Sequence, residues 1–280
     1  MKNIIKLFVV ASFFFASCEK SIDLYPQSNI TTENFYNTNA DIQVALSGCY
    51  NGLRDPLLEE WKLSELRSDN TIMYSSNSKS VPNRDLSDLD LFIPNTSHQA
   101  IYNYWISNYF NIRNLNVILN NLNVNYKSES GTLVSETTTV KITDAEKKVA
   151  ASEAAILRAY HYFNLVRLFG GVFLVHEPAD PFEATSMNRS SVADMYKFII
   201  ADLQFAAANG SALKYASIPA TSLGKVNAWT AKALLAKVYL TLNRKTDAIP
   251  VLTDIITNSG YGLNTSYADN FTVTSEMSKE

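Results

Sequence analysis

The chain has 280 residues, of which 46% are hydrophobic and 11% aromatic, with 24 basic and 27 acidic side chains. This hydrophobic content is ordinary for a globular protein and excludes a chain that is disordered throughout. A net charge of −3 without basic clusters argues against binding to nucleic acid or to an anionic membrane surface. The length allows one large domain or two small ones.

The first 17 residues have the layout of a secretory signal peptide. Lys2 and Lys6 precede a run from Leu7 to Ala16 that is apolar apart from Ser12. About ten apolar residues are too few to span a bilayer, so we expect export and cleavage. Cleavage would remove two lysines and no acidic residue, which takes the net charge to −5 over 263 residues.

The end of this segment, Phe15-Ala16-Ser17-Cys18, resembles a lipobox, with Phe where Leu is usual. We expect acylation of Cys18, which tethers the chain because each buried methylene contributes about 0.8 kcal/mol. The alternative is an ordinary signal peptide with a chance cysteine. Residues 18–38 then form a lipidated flexible leash, and residues 39–280 form the domain. The remaining thiol, Cys49, lies among apolar neighbours and is expected to be buried and inert.

Apolar residues at three- and four-residue steps predict a mainly α-helical domain. The predicted helices cover about 40–53, 98–124, 143–169, 191–208, 227–243 and 245–258. A capping box, Thr143 with Glu146, supports the start of the third. Residues 126–142 suit a loop or short hairpin.

Two helices carry more specific expectations. Asn111, Asn114, Asn121 and Asn125 lie opposite the apolar side of the 98–124 helix and are interpreted as solvated surface. Trp105 and Trp229 occupy apolar helical positions and are interpreted as core residues.

The last two predicted helices resemble a tetratricopeptide hairpin. Ala236 precedes Ala248 by twelve residues, and small residues at this separation let antiparallel helices approach closely. One hairpin cannot bury its apolar face alone, so further helices must stack on it.

Residues 56–97 are predicted to be irregular, because Asp55-Pro56 interrupts the helical pattern. A connection of this length is usually functional or disordered. Sugar binding needs aromatic faces and planar polar groups, and this segment has both. The candidate ligand-binding residues are Trp61, Asn70, Tyr74, Asn77, Arg84 and Asn95. The alternative is that Trp61 belongs to the core and the others to an ordinary loop.

No motif for catalysis, cofactor or metal stands out. The three histidines, His98, His161 and His176, lack metal-ligand spacing. Asp85, Asp88 and Asp90 lack the glycine and terminal glutamate of an EF-hand, so a solvated acidic loop is the favoured interpretation over a cation site. We therefore expect a binding protein without cofactor, metal or catalytic residues.

Four stretches together resemble the SusD/RagB family of outer-membrane nutrient-binding lipoproteins of Bacteroidota. They are Leu24-Tyr25-Pro26-Gln27 with the lipidated start, Glu153 to Val172 around Leu157-Arg158-Ala159-Tyr160, Arg189 to Ala207, and Gly224-Lys225-Val226-Asn227 with the following helix. Phe173 stands where the family usually has proline. The family is usually much longer, so the chain resembles the N-terminal part of a longer protein, with the C-terminal part missing.

The resemblance implies tetratricopeptide-like helix hairpins with long irregular loops. It implies binding of nutrient, most often oligosaccharide, and delivery to a SusC-like TonB-dependent transporter. It also implies a lipid-anchored position on the outer membrane, facing the cell surface, and no catalysis. A peptide-binding member of the family, or a helical-repeat scaffold without a small ligand, are the alternatives.

Overall fold

The computed structural model describes residues 35–73, 84–179, 186–275 and 277–279, and over these ranges the protein is mainly α-helical. The helices are α1 (Asn39–Asn51), α2 (Arg54–Glu65), α3 (Arg84–Asp90), α4 (Gln99–Asn121), α5 (Asp144–Phe169), α6 (Val192–Asn209), α7 (Ala228–Thr241) and α8 (Lys245–Asn258). A hairpin of β1 (Val124–Lys127) and β2 (Thr132–Ser135) separates α4 from α5. The predicted helical class is therefore confirmed, and the signal peptide, Cys18 and the leash up to residue 34 lie outside the described residues.

Side-chain caps define where the main helices begin. The predicted capping box of Thr143 and Glu146 is present at the start of α5. Thr38 and Asp41 form another at α1, and Asn227 with Thr230 forms a third at α7. Each satisfies backbone N–H groups that the first helical turn leaves without partners.

The prediction of an irregular segment over 56–97 was wrong in part, because most of α2 and all of α3 lie within it. Pro56 is the third residue of α2, where proline is tolerated because the first N–H groups of a helix have no intrahelical partner. Proline therefore lies near the start of a helix here and does not mark a break.

Helix α5 is the centre of the array. It contacts α1, α4, α6 and α7, and it is buried on most of its sides, as its apolar composition predicts. It ends at Gly170, whose φ of 70° lies in the left-handed region that glycine adopts without strain.

The predicted helical hairpin is confirmed in α7 and α8, which pack against each other. Ala236 and Ala248 are both buried, as close helix approach requires. Helix α7 also packs on α6, which extends the stack toward α5. The opposite side of α8 leaves Ile249 and Ile256 exposed.

A fully buried ion pair joins α5 to α6. Arg158 and Asp202 have no exposed surface, and the guanidinium donates from Nε and Nη2 to the two carboxylate oxygens at 2.8 and 2.7 Å. Arg158 Nη1 also donates to Asn116 Oδ1 of α4 at 2.8 Å and to the His176 carbonyl at 3.3 Å. The guanidinium carbon, Cζ, lies 4.7 Å from the ring centroid of Phe198. One side chain thus connects three helices and the segment after α5.

The interpretation of Asn111 as solvated surface was wrong. Its side chain is buried and donates to the Cys49 carbonyl at 3.0 Å and to His161 Nε2 at 2.7 Å. The other ring nitrogen, Nδ1, donates to Asn108 Oδ1 at 2.7 Å. A polar residue on an amphipathic helix usually faces water, but Asn111 faces buried hydrogen-bonding partners instead. Burial raises the pKa of the neighbouring Cys49 thiol to about 12, so the thiol stays protonated and inert.

Removing one partner of the buried pair should strongly destabilise the fold. We expect Arg158→Met and Asp202→Leu each to lower the free energy of unfolding by about 3–5 kcal/mol, because each leaves an unpaired buried charge. The double variant should lose less than the sum, since no charge remains unpaired. Urea denaturation of the three variants measures this.

The matched control is the partly exposed pair of Lys232 and Asp254, whose Nζ and Oδ2 lie 2.6 Å apart between α7 and α8. Asp254→Leu should cost much less, because water solvates a surface charge whose partner is lost. Strictly additive losses for Arg158→Met and Asp202→Leu would contradict the pairing.

The buried imidazole of His161 makes stability depend on pH. Burial lowers its pKa from the ordinary 6.5 to about 4, so between these values the unfolded state binds the proton more readily. Its stabilisation is fully present above pH 6.5, and it is lost as the pH falls toward 4, at up to about 1.4 kcal/mol per pH unit. Urea denaturation at stepped pH should show a shallower slope for His161→Gln; equal slopes would show that His161 is not the source.

Candidate ligand-binding surface

Trp61 lies on the outer face of α2 and is 47% exposed, so its alternative assignment to the core is wrong. The opposite face of α2 packs on α4. There the buried Glu59 accepts hydrogen bonds from Lys62 Nζ at 2.9 Å and from Asn103 Nδ2 at 3.4 Å. These contacts fix the rotation of α2 and present the Trp61 ring to solvent.

Two contacts join the turn after α2 to the region of α3. The backbone N–H of Met73 donates to Asp90 Oδ2 at 3.0 Å. The Arg67 guanidinium lies 5.4 Å from the ring centroid of Phe92. We call the exposed area formed by residues 66–73 and 84–98 the loop surface. Both contacts bring chain segments separated by about twenty residues into one surface.

Three of the predicted residues lie exposed on the loop surface. The side-chain amide of Asn70 makes no hydrogen bond within the described residues. Arg84 Nε lies 3.6 Å from Asp88 Oδ2, and Asn95 Oδ1 accepts from the Ser97 N–H at 2.8 Å. No hydrogen bond or ion pair joins Trp61, Asn70, Arg84 and Asn95 to one another within the described residues. Tyr74 and Asn77 lie outside those residues.

Phe92 is a candidate that the sequence reasoning did not select. Its ring is 61% exposed, and its backbone has a φ of 57°, which is unusual for a bulky side chain. The surrounding backbone holds this conformation, because Ile93 N–H donates to the Asp88 carbonyl at 2.9 Å and Phe92 N–H to the Leu89 carbonyl at 3.2 Å. The sequence feature that could have identified Phe92 is its position between Leu91 and Ile93, just before Pro94, in a segment that was expected to be irregular.

The acidic residues of α3 serve the local structure. Asp88 is buried beside Arg84, so it does not belong to a solvated acidic loop. The Asp85 carbonyl accepts from His98 Nε2 at 2.8 Å, which holds α3 on the start of α4. The described residues contain no group of three or more histidine, cysteine or acidic side chains suited to a metal ion. Their helices also include none that is long and apolar enough to cross a bilayer.

Of the tryptophans assigned to the core, Trp229 is buried, as predicted. Trp105 is only half-buried, so its assignment to the core was wrong in part. It packs edge-on against Phe169 and Phe173, with ring centroids 5.0 and 6.0 Å apart. Phe173, the departure from the usual proline, therefore contributes an aromatic contact.

Curated relatives that are named SusD-like align with nearly the whole chain. SusD-like protein P25 of Formosa agariphila is 25% identical over 99% of this chain and 50% of its own length. A SusD-like protein of Bacteroides ovatus is 24% identical over 97% of this chain and 47% of its own length. The chain thus spans about half the length of the curated relatives it matches.

Solved structures show the same fold. A SusD-like protein from Bacteroides fragilis superimposes with a TM-score of 0.71 at 23% identity, over 88% of this chain and 44% of that one. A laminarin-binding SusD-like protein gives 0.69 at 24% identity, over 88% and 50%. Residues 22–240 match the SusD-like family described as starch-binding and associating with the outer membrane. This match covers most of the sequence, and the chain therefore belongs to the SusD-like family.

Proposed function

We propose that this protein captures oligosaccharide at the outer membrane and delivers it to a SusC-like TonB-dependent transporter. Membership of the SusD-like family carries the proposal, since that family is described as starch-binding and associating with the outer membrane. The laminarin-binding protein of the same fold supports a glycan as the ligand class. The protein releases its ligand unchanged and catalyses no reaction.

The loop surface, together with Trp61, supplies the chemistry that a sugar requires. Exposed rings at Trp61 and Phe92 offer flat apolar faces for the C–H side of a pyranose. Both rings are already restricted before a ligand binds, because Trp61 belongs to a packed helix and Phe92 lies over Arg67. Binding therefore costs little side-chain entropy.

Planar polar groups of the loop surface retain unused hydrogen-bonding capacity. The Asn70 amide and Asn95 Nδ2 have no partner within the described residues, and Arg84 makes one long contact. Amides and guanidinium groups can bond adjacent sugar hydroxyls in one plane. Tyr74 and Asn77 complete the proposed set on the basis of the sequence.

Removing the exposed rings should weaken glycan binding. We expect Phe92→Ala and Trp61→Ala each to lower affinity for the best-bound glycan of a panel that includes laminarin by about tenfold, because each removes a stacking face. Isothermal titration calorimetry measures the affinity, and chromatography of the recovered glycan should show no cleavage.

Phe271→Ala is the matched control, because Phe271 is an exposed aromatic residue near the other end of the described chain. It should leave affinity unchanged. If no glycan of the panel binds and peptides of a second panel do, the result would favour the peptide-binding alternative. If neither panel binds and a protein partner still does, the result would favour the helical-repeat scaffold without a small ligand.

Lipidation and transport make a separate prediction. We expect the tagged chain, expressed in its native host, to be recovered in the outer-membrane fraction together with a large β-barrel protein. Cys18→Ser should move it to the soluble fraction, because the acceptor thiol for the acyl chains is lost. Recovery as a free inner-membrane species would contradict the transporter proposal, and an unchanged membrane fraction for Cys18→Ser would contradict the anchor.

A further inference from the structure

A cavity of about 390 Å³ lies where the starts of α1 and α5 meet the segment before α7. Its lining includes Asn39, Gln43, Glu146, Glu153, Leu213 and Lys225. None of the residues proposed for glycan binding contributes to it. Its volume lies in the range of sites that hold small molecules.

Glu153 gives this cavity a carboxylate oxygen that has no protein partner in the described part of the chain. Glu153 is only 5% exposed, and its Oε2 accepts a hydrogen bond from the Tyr50 hydroxyl at 2.9 Å. That hydroxyl in turn accepts from the Val226 N–H at 3.0 Å, so Tyr50 is held in place. Oε1 has no hydrogen-bond partner within the described residues. Among the described residues, the enclosed polar atoms that lack a partner do not include Oε1, so this oxygen is open to the cavity, where a ligand can donate to it.

The described charged groups around the cavity form no direct ion pair with one another, although the Lys225 ammonium still acts electrostatically on Glu153. Lys225 Nζ donates to the neutral Gln43 Oε1 at 2.9 Å, and no ion pair within 4.0 Å joins it to Glu153. Glu146 is bonded to Thr143 and to Asn39 Nδ2, which are also neutral. Two carboxylates and one ammonium therefore line the same space. This balance favours a ligand that brings one positive charge.

The remaining walls set the size and nature of the rest of the ligand. Val149, Leu213, Ile218 and Pro219 line the cavity with apolar surface. A compact carbon frame can pack there while a polar head reaches Glu153. A free metal ion would leave these apolar walls uncovered, so an organic cation fits better.

We propose that this cavity binds a small primary amine of amino-sugar size, with its ammonium group donating to Glu153 Oε1. A charge-assisted hydrogen bond of this kind is about twice as strong as a neutral one. The site is independent of the loop surface, so loss of glycan binding there leaves this proposal standing.

Two probes that differ by one group test the proposal. Glucosamine and glucose have the same ring, but glucosamine carries an ammonium group at pH 6.5. We expect the purified full chain to bind glucosamine at least tenfold more tightly than glucose, measured by isothermal titration calorimetry and by shifts of the Tyr50 and Val226 amide signals in NMR spectra. Equal binding of the two probes, or no binding of either, would overturn the proposal.

Two variants locate the binding. Glu153→Gln keeps the shape and the bond to Tyr50 but loses the charge, so glucosamine affinity should fall about tenfold. Leu213→Trp changes a partly exposed wall residue and should abolish binding by filling the cavity, without touching the Glu153 contacts. Glu60→Gln, in a different cavity between α2 and α5, is the matched control and should leave affinity unchanged. Unchanged affinity in Glu153→Gln, or the same loss in Glu60→Gln, would show that the amine binds elsewhere.

Discussion

The buried guanidinium of Arg158 is the interaction on which the helical array depends. Transferring an ion pair from water to the interior costs several kcal/mol per ion, and this cost is offset when geometry is good and the remaining donors are bonded. Both conditions hold, since the guanidinium makes a forked contact with Asp202 and reaches Asn116 and the His176 carbonyl. Burial raises the pKa of the Asp202 carboxyl while the guanidinium opposes that rise. The pair therefore specifies one arrangement of α4, α5 and α6.

Around this centre, the interior helices are held by buried contacts, whereas exposed residues at the edge of the fold can be substituted. The interior helices are held by paired polar groups, such as His161 between two asparagines, and by small residues at helix crossings such as Ala236. The segment from α2 to α4 is attached to them at its edge, through Glu59 and His98. Exposed residues of that segment can therefore change without disturbing the core. A binding surface that varies on a constant support is expected to lie in such a segment.

Much of the fold follows from local sequence signals. Apolar periodicity placed the helices now seen as α1, α4, α5, α6, α7 and α8, and the capping box at Thr143 marked the start of α5, because both are properties of a single helix. Pro56 misled the interpretation, since its effect depends on its position within a helix, and that position was set by the packing of α2 on α4. Trp61 and Phe92, both from the segment 56–97, are exposed, and Phe92 was not selected because exposure is not a local property.

By itself the sequence determined the helical class, the main helix boundaries and the family resemblance that the comparisons confirmed. The tertiary structure alone decided which polar residues are buried. Asn111 and Glu153 read as ordinary polar positions on helices, yet one bonds a buried histidine and the other leaves a carboxylate oxygen in a cavity. The physical reason is that a polar side chain is satisfied by partners from distant parts of the chain. Those partners come together only when the helices pack.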